Sequence, residues 1–194
     1  MLSLREASYA LFGAWRLAHF DLQGTAYFDR SAEGALRSFW AAALLLPAYA
    51  VMVLLHLSEN PPALGWSGLM LVYGVAYAVG WTAFPFVMLW LARLLDREED
   101  YFGYIAMYNW SQLLITVIAL PMAAIRSGQL LPAPLIGFFG LVVEFAMLAY
   151  LWFIVRAGLR IGPLAAIGVV LTDLTLSVLI WSVADHLAAG GRLL

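Results

Sequence analysis

The chain has 194 residues, 64% hydrophobic and 11% charged, with a formal net charge of −2 and a mean hydropathy of +0.90, whereas a soluble domain carries about 25% charged residues. These proportions place it in a membrane and exclude an ordinary soluble globular domain. Its ten basic residues are all arginine and are outnumbered by twelve Asp and Glu, which leaves no basic patch for nucleic acid, and the lack of cysteine excludes disulfides, thiolate metal ligation and a cysteine nucleophile.

The N-terminal stretch, residues 1–36, carries Arg5, Glu6 and Arg16 where a signal peptide would need an unbroken apolar core, so it is expected to be retained. Ser3 and Glu6 stand at capping-box spacing and predict a helix over 4–19 anchored by Leu4, Leu11, Phe12 and Trp15. This amphipathic helix is too charged to span. It is expected either at the headgroup level or against the protein's own cytoplasmic loops.

Spans need ~20 mainly apolar residues, and five segments qualify, over residues 37–57, 66–94, 103–125, 135–157 and 163–187. The connectors between them, "SENPPALG", "DREEDYFG", "RSGQLLPAP" and "GLRIGP", join charges to Gly or Pro. Pro47 and Pro85 fall inside spans and predict kinks, and the second span, being longer than a bilayer requires, predicts tilt or bending.

Arg5, Arg16, Arg30, Arg37, Arg93, Arg97, Arg156 and Arg160 flank the spans on one side, against Arg126 and Arg192 on the other. Positive residues near span ends stay in the cytoplasm, so the N-terminus is expected inside and the C-terminus outside. The fold class is then an all-α membrane protein in which residues 37–194 form one five-span domain and residues 1–36 an interfacial segment with no core of its own. No internal repeat suggests the inverted symmetry of a transporter.

Polar residues inside the spans are the functional candidates. Glu144 stands about nine residues into the fourth span from outside, Asp173 about ten into the fifth and Gln112 about nine into the third from the cytoplasm, which at ~1.5 Å per residue is one common depth. Asn109, Gln112 and Thr116 recur on one face of the third span, Gly137 and Gly140 share the face of Glu144, and Ser177 shares that of Asp173. Each carboxylate is therefore expected to face a helix interface, because an acidic side chain at the bilayer centre costs ~2.5 to 3.5 kcal/mol on insertion scales. Two uses are open: a protonation or cation site, or hydrogen bonds that clamp helices together.

His56 and His186 fall at the outer ends of the first and fifth spans and, with Glu59 and Asp185, are candidates for haem or metal. Their spacing is not diagnostic, and no cofactor or metal is expected. Trp40, Trp66, Tyr101, Tyr104 and Trp152 fall near span ends, as aromatic belts do. The acidic stretches "FDLQGTAYFDRS" and "DREED" lack the spacing of a metal-dependent lipid enzyme and read as solvated caps, and no hydrolase, metalloprotease or phosphate-loop motif occurs.

Five compact spans, an N-terminal cytoplasmic segment and the stretch "YFGYIAMYNWSQLLITVIALP", with Tyr108 near its start and Pro121 at its end, resemble the Yip family and in particular its small bacterial inner-membrane members. The resemblance covers residues 35–187, while the long acidic, proline-rich N-terminal tail of the eukaryotic members is missing. It implies a non-enzymatic membrane protein that works through partners, with no catalytic residues to carry over. The expected function is that of an accessory, scaffold or assembly component of a larger membrane complex, in contact with the lipid bilayer and with a membrane-protein partner or a second copy. The alternative is a proton- or cation-coupled carrier using Glu144 and Asp173. The all-arginine, alanine-rich usage suggests a bacterial cytoplasmic membrane.

Overall fold

A computed structural model describes residues 3–191, so Arg192 lies outside the described residues. Among these the chain is helical: α1 (Leu4–Ala18), α2 (Ala32–Ser38), α3 (Trp40–Glu59), α4 (Trp66–Leu94), α5 (Tyr101–Ser127), α6 (Ala133–Leu159) and α7 (Pro163–Ala188), with 3-10 turns at Leu22–Tyr27 and Glu98–Asp100. Five of the helices are long and apolar enough to cross a membrane. Their bounds follow the hydropathy of the sequence, and α3, α4 and α5 each run through a proline as one helix. No strand occurs among the described residues.

The spans alternate in direction, so the start of α3, the α4–α5 connector and the α6–α7 connector meet at one end, where the arginines gather. Asp100 ties that end together. It is fully buried and accepts from Arg30 Nη2 at 2.5 Å, Arg160 Nη2 at 2.7 Å and Arg160 Nε at 3.0 Å, linking the N-terminal segment, the α4–α5 connector and the α6–α7 connector. Arg160 ends α6 in the left-handed region at φ 54°, which turns the chain beside Asp100. At the opposite end Ala63 N donates to Ala188 O at 2.9 Å, closing the α3–α4 loop onto the end of α7.

The N-terminal segment is bound into the arginine-bearing end of the bundle. Ser3 caps α1 by accepting from Glu6 N at 3.1 Å, as half a capping box does, but the Glu6 carboxylate accepts from Arg37 Nε at 2.8 Å. Arg37 also donates to Asp29 at 2.6 Å and to Glu33, so one guanidinium joins α1, α2 and the loop between them. Ala10, Ala14 and Leu17 are buried against α5 and α6, and the Tyr150 hydroxyl of α6 donates to Ala14 O at 2.8 Å. Gly13 and Gly24 cross closely enough that a Cβ on Gly13 would lie 2.9 Å from the Gly24 carbonyl oxygen. The other side of α1 presents Tyr9, Phe12 and Trp15 to the outside.

The core is the arginine-side half of α5. Tyr104, Ile105, Met107, Asn109 and Ser111 are 0–1% exposed there, enclosed by α1, α2, α3 and α6. Tyr104 is thus a core residue and not part of an aromatic belt: its ring packs on Gly158, where a Cβ would come within 2.9 Å of it. Trp40 and Trp66 do stand exposed at span ends.

Candidate functional site

The polar residues chosen from the sequence fall into three places. Asn109 is fully buried and faces α2, donating from Nδ2 to Ser38 Oγ at 2.8 Å, while Ser38 in turn donates to Ala35 O at 2.6 Å. It belongs to the packing of the N-terminal segment. Spacing put Asn109 on the Gln112 face, but three residues along a helix turn about 300°, so the two residues need not face the same neighbour.

Gln112, Thr116 and Ser177 line a pocket of about 260 Å³ between α3, α4, α5 and α7. Its walls include the aromatic side chains Tyr49, Tyr77, Trp81, Tyr108 and Trp181. Asp173 lies one helical turn before Ser177 and is 8% exposed, and the Tyr108 hydroxyl donates to its Oδ1 at 2.9 Å. No arginine forms an ion pair with Asp173 among the described residues. A carboxylate taken out of water needs such a donor, and Tyr108 supplies it across the α5–α7 gap.

Glu144 stands elsewhere. It is exposed on α6 and borders a groove of about 680 Å³ lined by Met52 of α3, Ala119, Met122, Ala123 and Arg126 of α5 and Gly137 and Gly140 of α6, with Arg126 pairing with Glu59 and not with Glu144. It makes no hydrogen bond or ion pair among the described residues. The two carboxylates are therefore not one dyad, and Glu144 does not point into a closed helix interface. Depth along a helix places residues on a common level but leaves their azimuth free, and here the α6 face bearing Glu144 turns towards the half of α5 away from the arginines while Asp173 turns towards Tyr108. Met52 borders both the groove and the pocket.

His56 and His186 are not brought together. His56 Nε2 lies 3.0 Å from Asp185 Oδ1, which also accepts from the Tyr73 hydroxyl at 2.9 Å, whereas His186 is exposed on α7. Glu59 pairs with Arg126 at 3.5 Å. No group of three His, Cys, Asp or Glu suited to a metal occurs among the described residues. The acidic stretches near the arginine-bearing end are taken up by arginines. The Gln23 backbone N–H and the Arg16 guanidinium hold the Asp21 carboxyl below its ordinary range, and the Ser31 N–H and hydroxyl, with Arg37, do the same for Asp29. Asp100 hydrogen bonding raises the Arg160 guanidinium further.

Sequence reasoning missed the tyrosines. Tyr49, Tyr73, Tyr77 and Tyr108 hold the pocket region together through their hydroxyls. A signal was present: all four lie well inside spans, where an unpaired hydroxyl is costly. No family model, curated protein or solved structure matches the chain.

Proposed function

We propose that this is a non-enzymatic membrane protein of a bacterial cytoplasmic membrane, N-terminus inside and C-terminus outside, serving as an accessory, scaffold or assembly component of a larger membrane complex. The observation that carries the reading is Glu144, an exposed carboxylate in the middle of an apolar span with no partner among the described residues. Left facing lipid it costs ~2.5 to 3.5 kcal/mol. The groove beside it is floored by Gly137, Gly140, Ala119 and Ala123, residues small enough to let another backbone approach. The occupant that fits is a transmembrane helix of a different protein carrying a hydrogen-bond donor or a cationic side chain at the depth of Glu144. The exposed aromatic side of α1 supports a place for that helix at the headgroup level. The likeness to the Yip family, whose members work through partners, agrees with this reading.

A photo-crosslinking residue at Leu141, which lines the groove, tests it in the native membrane. The expected result is an adduct with one heterologous membrane protein, kept in Glu144→Gln and lost in Glu144→Leu. Adducts only between copies of this chain, or none, contradict it. The second reading, a proton- or cation-coupled carrier, is favoured by the pocket beside Asp173 and no longer needs Glu144. Reconstituted flux abolished by Asp173→Asn and kept in Glu144→Leu is its expected signature.

A further inference from the structure

The pocket between α3, α4, α5 and α7 has a chemical character beyond its polarity. Its tyrosine protons all point elsewhere: Tyr49 donates to Tyr73 O at 3.0 Å, Tyr77 to Ala42 O at 2.5 Å and Tyr108 to Asp173 Oδ1 at 2.9 Å. With those protons committed, these tyrosines have no donor left for a guest, and their rings are electron-rich. Tyr49 is the hub of the aromatic wall, its ring centroid 4.4 Å from that of Tyr77 and 5.9 Å from that of Trp181, and Trp81 extends the wall at 6.1 Å from Tyr77.

Carboxylates stand at both ends of this wall. Asp173, Ser177, Trp181 and Asp185 recur every four residues along α7, so the two residues of that row that line the pocket are bracketed by acids. Asp185 Oδ1 lies 3.0 Å from His56 Nε2 and accepts from the Tyr73 hydroxyl, whereas among the described residues Asp173 accepts only from the Tyr108 hydroxyl. No arginine among the described residues lines the pocket, so an anion would meet no positive charge there and only the neutral side chains of Gln112, Thr116 and Ser177 as polar partners. A cation would meet the aromatic side chains of Tyr49, Tyr77, Trp81 and Trp181, with the Asp173 carboxylate behind Tyr108.

We infer that this pocket is a binding site for a small organic ammonium ion, held by the faces of Tyr49, Tyr77, Trp81 and Trp181 and by the negative charge of Asp173. Its volume, below the ~300 to 1,000 Å³ of sites for drug-sized ligands, limits the guest to a compact ammonium head group. Cation–π contacts in a desolvated site distinguish an ammonium from its uncharged isostere. The site does not depend on the groove at Glu144, so binding here and partner docking there succeed or fail separately.

The test is a titration of the full chain in lipid nanodiscs with choline and, in parallel, with 3,3-dimethyl-1-butanol, in which carbon replaces the charged nitrogen. Tryptophan fluorescence is the readout, assigned to the site by the amplitude lost in Trp181→Phe. Choline is expected to give a saturable change with an affinity at least ~10-fold above the neutral isostere, and Asp173→Asn is expected to erase most of that preference. Equal affinity for the two compounds, or no saturable change with choline, overturns the inference. The wild-type comparison alone decides it, even if Asp173→Asn fails to fold.

Discussion

The two halves of the bundle are built on opposite rules. In the arginine-bearing half, α5 is buried over residues 103–107 and 109–111, and most polar groups there find partners, Asn109 Nδ2 with Ser38, Tyr150 with Ser111 and Ala14, Asp100 with Arg30 and Arg160, while the Tyr104 hydroxyl and Asn109 Oδ1 are buried without one among the described residues. In the other half the same helix shows Val117 at 68% and Ile118 at 50% exposure, α5 and α6 part around a groove, and Glu144 has no partner among the described residues. The first half holds the larger core, while the second has a smaller one of Val53, Leu69, Tyr73, Ala184 and Ala188 and beside it leaves surface and space for something else. A polar group in a membrane span is thus informative mainly through whether its own chain satisfies it.

Substitutions can break this comparison, and the largest effect is expected at Asp100. Asp100→Ala removes the buried acceptor of three charge-assisted hydrogen bonds that tie three segments together, from Arg30 and Arg160, and is expected to cost about 3 kcal/mol of unfolding free energy, measured by steric trapping in bicelles. Next comes glycine. Gly158→Ala drives a methyl into Tyr104 and Gly13→Ala drives one towards the Gly24 carbonyl, each expected to cost roughly 1 to 3 kcal/mol. Gly137→Ala and Gly140→Ala sharpen the contrast, because a Cβ at 137 meets nothing and one at 140 only Met122 Cε at 3.9 Å. Each should change stability by less than about 0.5 kcal/mol while weakening the partner adduct at Leu141.

The smallest expected effect is one of pH. The carboxyls of Asp21 and Asp29 are held below their ordinary range, so their contribution to holding the N-terminal segment is complete above the usual carboxylate range and fades as pH falls through the lowered values. A spin label at Leu22→Cys should stay immobile from neutral pH down to the usual carboxylate range and loosen only below it. Loosening between pH 8 and pH 6 would contradict the assignment.

Element by element, the sequence carried the spans well, because length and hydropathy are one-dimensional properties: α4 and α7 begin at Trp66 and Pro163, where composition puts them. Helix azimuth is different. Hydropathy scarcely differs around a helix that is apolar on every side, so nothing local told which way Glu144 turned or that Asn109 faced Ser38. The N-terminal segment was legible as a helix with a Ser3 cap, but its place depended on Glu6 meeting Arg37, a pair far apart in the chain. The pocket was half legible: Gln112, Thr116 and Ser177 were picked out by polarity, whereas its aromatic wall comes from residues that composition alone assigns to packing.

The central claim is that the open half of the bundle is completed by another protein at Glu144. Native mass spectrometry of the chain gently extracted from its own membrane, run beside Glu144→Leu, tests it most directly. The expected result is a stoichiometric complex with a second membrane protein for the wild type and the lone chain for the variant. A wild-type monomer or homo-oligomer, or a complex that survives Glu144→Leu intact, would contradict it.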